Sequence, residues 1–162
     1  MENNFITRKN LRISKYNYSN IGCYFITICT QDRKNILSKI YYKKETLVHE
    51  LSDFGIITEK YIKSINKTYN EIEINYYIVM PNHIHLICEI IDKNKNTISR
   101  TNEKIPFLIS TFKRLTNKEC ETKLWQRNYY EHVIRNEKEY KKIIKYIEDN
   151  PYKWEKDIYF SL

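Results

Sequence analysis

His83 and His85 stand one residue apart in the segment Tyr77-Ile78-Val79-Met80-Pro81-Asn82-His83-Ile84-His85-Leu86-Ile87-Cys88. In an extended strand, residues i and i+2 point to the same face, so the two imidazoles are presented side by side. Ile84, Leu86, Cys88 and Ile90 take the alternate positions and form the apolar face that must meet the core. Such a pair can hold one side of a divalent metal. The remaining ligands must then come from elsewhere in the fold.

The carboxy-terminal segment supplies candidates. Tyr140, Ile143, Ile144 and Ile147 follow the i, i+3, i+4, i+7 spacing of a packed helix face. At ~100° per residue, Tyr146 lies roughly 110° from the centre of that stripe and is not needed to complete it. Asn150, four residues later, shares the side of Tyr146. If this helix covers the histidines, His83, His85 and the Asn150 carbonyl oxygen form a mixed nitrogen and oxygen set. That set suits Mg²⁺ or Mn²⁺. Tyr146 would stand beside it as a nucleophile. A free phenol, with a pKa of about 10, reacts poorly at neutral pH. A cation from the metal, Lys142 or Lys145 would favour the phenolate. Each residue also has a plainer reading: a structural histidine pair, an amphipathic surface tyrosine, and an asparagine ending a helix before Pro151.

The elements that must position these groups read as follows. Cys23 to Thr30 is β-branched and aromatic, a first strand, and Gln31 to Asn35 is a charged turn. Lys44 to Asn66 carries a helical pattern, with Leu47, Leu51 and Phe54 on one stripe and Gly55 weakening it. Ile72, Ile74, Tyr76, Ile78 and Met80 alternate with polar residues, and Pro81-Asn82 turns that strand tightly into His83–Ile90. Asp92 to Glu103 is a polar loop, Ile105 to Lys118 a helix, and Tyr129 to Arg135 a short strand. Asn136 with the acidic residues after it opens the last helix, and Pro151 ends it. The predicted class is α+β. The first six elements make a ferredoxin-like split βαβ fold, a four-stranded antiparallel sheet with the histidine strand central. The extra carboxy-terminal helix is then free to cover the polar face.

At 162 residues the chain is expected to form one domain, with residues 1–20 as a basic arm and 137–150 as the tyrosine helix. A net charge of +8 points to a polyanionic partner. No apolar run approaches the ~20 residues of a membrane span. The start Met1-Glu2-Asn3-Asn4-Phe5 has no signal-peptide apolar region, which predicts a cytoplasmic protein. Cys23, Cys29, Cys88 and Cys120 form no CxxC pair and read as free thiols in or beside the core.

Several segments together resemble a known family. Arg8-Lys9-Asn10-Leu11-Arg12, Tyr16-Asn17-Tyr18 and Gly22 to Thr30 come first. Met80 to Leu86, Trp125 to Arg135 and Tyr146-Ile147-Glu148-Asp149-Asn150-Pro151 follow in order. The set resembles the REP-associated tyrosine transposases, a branch of the small single-tyrosine HUH transposases of bacterial insertion sequences. His83-Ile84-His85 satisfies the HUH signature of histidine, hydrophobic residue, histidine. The resemblance implies cleavage of single-stranded DNA at hairpins without ATP, through a covalent 5′-phosphotyrosine and a free 3′-OH. Tyr146 matches the nucleophile, and His83 and His85 match the metal ligands. Asn150 falls where relatives place a third ligand, often Gln. It also implies that DNA recognition rests on basic and aromatic residues, here Arg8, Lys9, Arg12, Tyr16, Tyr18, Arg127 and Arg135. Insertion-sequence relatives exchange the tyrosine helix within a dimer, so both a monomer and a homodimer are compatible. Two other readings fit the same pattern: a non-catalytic nucleic-acid-binding module, and a metal phosphodiesterase that uses water.

Overall fold

The computed structural model describes residues 22–90 and 104–160. The proposed DNA contacts Arg8, Lys9, Arg12, Tyr16 and Tyr18 lie outside these residues, as does the expected loop from Asp92 to Glu103. Strand β1 spans Gly22–Cys29, β4 Ile72–Val79, β5 His83–Ile90 and β6 Tyr130–Ile134. They form one antiparallel sheet in the order β4-β5-β1-β6. This is the ferredoxin-like split βαβ arrangement, with the histidine strand β5 between two neighbours. Helices α1 (Asp53–Thr68) and α2 (Lys104–Glu119) cover one face. Their Ile62, Ile65, Ile105, Leu108, Ile109 and Phe112 pack on Tyr24, Ile26, Ile28, Ile84, Leu86 and Cys88. Helix α3 (Glu137–Asp149) covers the other face, where Ile147 meets Ile87 and Ile134, with Tyr140, Ile143 and Ile144 around them. No described helix is long and apolar enough to cross a membrane. All four cysteines are free, and Cys88 is buried.

Two elements differ from the sequence expectation. The helical pattern read from Lys44 begins only at Asp53. Its first part is a hairpin of β2 (Ser38–Lys43) and β3 (Thr46–Leu51), a two-stranded sheet of its own. Lys44 and Glu45 take the left-handed conformation, φ 47° and 63°, which reverses the chain between those strands. Leu47 and Leu51 have helical spacing with Phe54, but a tight turn followed by paired strands overrides that propensity. Ser52 then caps α1, its hydroxyl accepting from the Gly55 N–H at 3.2 Å. Gly55 is required rather than tolerated. A Cβ there would sit 2.0 Å from the Leu37 carbonyl oxygen.

The second difference lies in β4, expected to alternate without a break from Ile72 to Met80. Its register against β5 shifts between Ile74 and Tyr76, a bulge at Asn75. Beyond it the faces exchange. Tyr77 and Val79 turn to the α1–α2 core, while Ile78 turns toward α3 and Tyr76 packs on Tyr140 at 6.2 Å. Ile78 thereby stands opposite His85 on the same face.

Candidate active site

Every second residue of β5 and β1 points to the α3 face, so His83, His85, Thr27 and Phe25 share it. Both imidazoles are buried, and each has its Nδ1 held by a polar neighbour. His83 Nδ1 lies 2.9 Å from Asn82 Oδ1, and His85 Nδ1 lies 2.8 Å from Thr27 Oγ1. The Asn82 amide is oriented by its own nitrogen, which donates to the carbonyls of Tyr159 at 2.7 Å and Arg33 at 3.3 Å. Its oxygen can only accept, so His83 Nδ1 carries the proton and His83 Nε2 keeps a lone pair. The two Nε2 atoms face each other at 3.1 Å. With the outer nitrogens held by the surrounding shell, the inner pair is what a metal would meet. Burial, with Arg33 adding to it, pushes the His83 pKa down to about 3. Burial and then His83 push His85 down as well. Both rings are therefore neutral, as ligation requires.

The helix that covers them begins at Asn136, whose side chain accepts from the Glu139 N–H at 2.9 Å. Glu139 in turn accepts from His132 Nε2 at 2.7 Å and the Arg135 N–H at 2.8 Å, tying the start of α3 to β6. Less than three turns further along, the helix sets the Tyr146 hydroxyl 3.4 Å from His85 Nε2. The Tyr146 ring lies 5.2 Å from that of His85 and 6.0 Å, edge-on, from Phe25. Tyr146 is 39% exposed, open enough for a substrate to reach it. Its pKa is raised, first by burial and then by the Asp157 carboxylate. Lys142 and Lys145 are exposed, and the ionic charge acting on the phenol is Asp157, contrary to the expectation that these lysines lower it.

Pro151 ends the α-helix but not the winding of the chain. A 3-10 turn, Pro151–Lys156, carries it back toward the histidines. Asn150 is buried at this junction and donates from Nδ2 to Asp157 Oδ2 at 3.1 Å. Its Oδ1 is buried with no hydrogen-bond partner among the described residues. Asp157 offers a carboxylate oxygen that lies, with the ligand nitrogens of His83 and His85, in a group within 4.8 Å of one another. Asp157 was missed by the sequence reading. It lies beyond the last helix on an irregular turn, where no periodic spacing points to it. The structure thus brings Tyr146, His83, His85 and Asn150 to one place and adds Asp157.

The two arginines named with β6 part company. Arg127 lies in the loop whose Gln126 N–H donates to the Cys29 carbonyl at 3.0 Å, the end of β1 paired with His83. Arg135 follows Ile134, which pairs with Cys23 at the opposite end of β1. It is not beside the histidines, because β6 runs away from them along the sheet.

An uncharacterised protein of Haemophilus influenzae is 33% identical to this chain, over 93% of this chain and 91% of its own. A second Haemophilus influenzae protein, assigned to the REP-associated tyrosine transposases, is 30% identical over 82% of this chain and 71% of its own. The chain belongs to the REP-associated tyrosine transposases. A further member, the REP-associated tyrosine transposase of Escherichia coli, is 34% identical over 53% of this chain and 49% of its own. A solved REP-associated tyrosine transposase bound to a REP hairpin shares the fold, with a TM-score of 0.65 at 23% identity. The likeness covers 88% of this chain and 73% of that one. No protein-family model matches the chain.

Proposed function

We propose that this transposase-family protein processes DNA by cutting and rejoining a single strand at a hairpin, with Tyr146 as the nucleophile. The observation that carries the reading is the Tyr146 hydroxyl 3.4 Å from one of two buried, neutral imidazoles whose Nε2 atoms converge. In the cutting step the Tyr146 oxygen attacks the phosphorus, and the bond from phosphorus to the 3′-oxygen breaks. The 3′-oxygen takes a proton and leaves as a 3′-OH, while the 5′-phosphate stays on the tyrosine. The phenolic proton passes to Asp157, the carboxylate that raises the Tyr146 pKa, and from there to the departing 3′-oxygen. Attack by a second strand's 3′-OH on the phosphotyrosine reverses the step and joins DNA, since the ester bond is conserved.

The residues fit Mg²⁺ or Mn²⁺. Two imidazole nitrogens, a carboxylate and the unpartnered Asn150 Oδ1 form a nitrogen and oxygen donor set for such an ion. His83, His85, Asn150 and Asp157 would hold it. A bound cation supplies Lewis-acid polarisation of the phosphate and favours the phenolate. The chain's own part is to hold the imidazole rings in place, with His83 fixed in one tautomer by Asn82, keep them dry, and aim the phenol. Because α3 packs on its own sheet, we assign the site to one chain.

The test uses a panel of hairpin oligonucleotides with single-stranded flanks, labelled at the 3′ end, with Mg²⁺ or Mn²⁺. The wild-type protein should carry label on a denaturing gel, and Tyr146→Phe should carry none. Cutting by Tyr146→Phe at the wild-type rate would mean that water, not the tyrosine, is the nucleophile. Binding without cutting across the panel would leave a non-catalytic DNA-binding module.

A further inference from the structure

A guanidinium, that of Arg33, stands near this site besides the residues that would hold the metal. The turn after β1 takes Asp32 and Arg33 through the left-handed region, φ 56° and 54°, where residues with a Cβ are strained. The turn is clamped in that shape. Thr30 donates its N–H at 2.8 Å and its hydroxyl at 3.0 Å to the Asn82 carbonyl, and the Arg33 carbonyl accepts from Asn82 Nδ2. Asn82 is the residue that orients His83, so the backbone of Arg33 and the imidazole are referred to one amide. The side chain is aimed as well. The Arg33 guanidinium lies over the Tyr159 ring, 5.4 Å from its centroid, and that ring lies 4.7 Å from the His83 ring. The guanidinium is close enough to act on the charge of His83.

We propose that Arg33 is a phosphate-binding residue of this site, its guanidinium pairing with a non-bridging oxygen of the DNA phosphate that Tyr146 attacks. The proposal rests on the reading of Tyr146 as nucleophile. Attack on a phosphodiester draws charge onto the non-bridging oxygens, and a planar guanidinium fork matches two of them at once. The strained turn then has a physical purpose. It holds a rotamer-rich side chain at the rim of a neutral imidazole pair, where a free loop would let it wander. The anion in the same neighbourhood, Asp157, is tethered by Asn150 and by the Tyr159 N–H at 2.7 Å. Arg33 thus stands at the site as the counterpart of that carboxylate.

The experiment compares wild-type, Arg33→Ala and Arg33→Lys in two arms. The first measures single-turnover cutting of an oligonucleotide that the wild-type protein cuts, and binding of the same oligonucleotide with a neutral methylphosphonate at the cut linkage. Arg33→Ala should cut at least tenfold more slowly and bind the phosphodiester at least tenfold more weakly. Arg33→Lys should fall between, because an ammonium supplies charge without the fork. Wild-type and Arg33→Ala should bind the methylphosphonate alike. The second arm titrates thymidine 5′-monophosphate calorimetrically in Mn²⁺ and needs no cutting. There too Arg33→Ala should bind at least tenfold more weakly. Equal cutting rates, equal nucleotide affinity, or a defect that persists on the neutral linkage would overturn the proposal. If the wild-type protein forms no adduct, the tyrosine reading fails, and the nucleotide arm still decides whether Arg33 binds phosphate.

Discussion

The two faces of strands β1 and β5 are equally buried and chemically opposite. On one, Ile26, Ile28, Ile84 and Cys88 are 0% exposed under α1 and α2. On the other, Thr27, His83 and His85 are 2%, 0% and 1% exposed under α3 and the turn beyond it. Burial therefore does not tell a core from a site. What differs is how the buried atoms are satisfied. The first face is held mainly by packing, at about 1.5–3 kcal/mol for each large side chain removed from water. The second buries polar atoms that would each cost about 1–3 kcal/mol unpaired, and nearly every one has a fixed partner. The exception is Asn150 Oδ1, a buried acceptor with no hydrogen-bond partner among the described residues, which is where the proposed cation would find an oxygen ligand.

Substitutions should separate the two faces, and the largest effect belongs to the site. Tyr146→Phe is expected to abolish the covalent adduct, because the attacking oxygen is gone, while leaving the melting temperature unchanged, as read by denaturing gel and calorimetry. On the core face, Ile84→Ala should cost about 2–5 kcal/mol in denaturant unfolding with little loss of cutting per folded molecule. Gly55→Ala belongs with it. The added Cβ meets the Leu37 carbonyl, and a loss of about 3 kcal/mol is expected by the same unfolding measurement.

Mn²⁺ at a hundred times its Kd should stabilise the wild-type protein by about 2.7 kcal/mol and His83→Ala much less, which thermal melts with and without chelator would show. The metal-free protein should also sense acid through the histidine face, over and above the paired carboxylates Glu59, Glu119, Glu139 and Asp149, whose pKa values are lowered. His83 has a folded-state pKa near 3 against an ordinary 6.5, so below pH 6.5 the unfolded chain binds more protons. Stability should then fall from about pH 6.5 toward pH 3, and His83→Ala should flatten that slope. The smallest effect is a null. A mixture of His83→Ala and Tyr146→Phe should regain no cutting if each chain builds its own site, as proposed. Recovery in the mixture would mean that α3 is exchanged between chains.

Much of this architecture was legible in a single chain of letters, for reasons that can be named. The alternation through Ile84, Leu86 and Cys88 assigned the two faces of β5, because a strand's period is strict. The Tyr140, Ile143, Ile144 and Ile147 stripe oriented α3, leaving Tyr146 and Asn150 off it. The hairpin at Ser38–Leu51 was not legible. Its turn uses Lys44 and Glu45 where a glycine or asparagine would have signalled reversal. Nor was the bulge at Asn75, since a single extra residue leaves local composition unchanged while flipping every side chain after it.

Local periodicity depends only on neighbouring residues, so strand faces, the helix stripe and the HxH pair could be read before any folding. The contacts that finish the site join distant residues. Asn82 reaches Tyr159 across 77 positions, and Tyr146 reaches His85 across 61. Asp157 and Arg33 arrive from a 3-10 turn and a left-handed bend that have no repeating pattern. Which of the chain's many acids and bases meet at one point is set by how the sheet and the last helix pack. That packing is a sum of long-range contacts with no counterpart in local spacing.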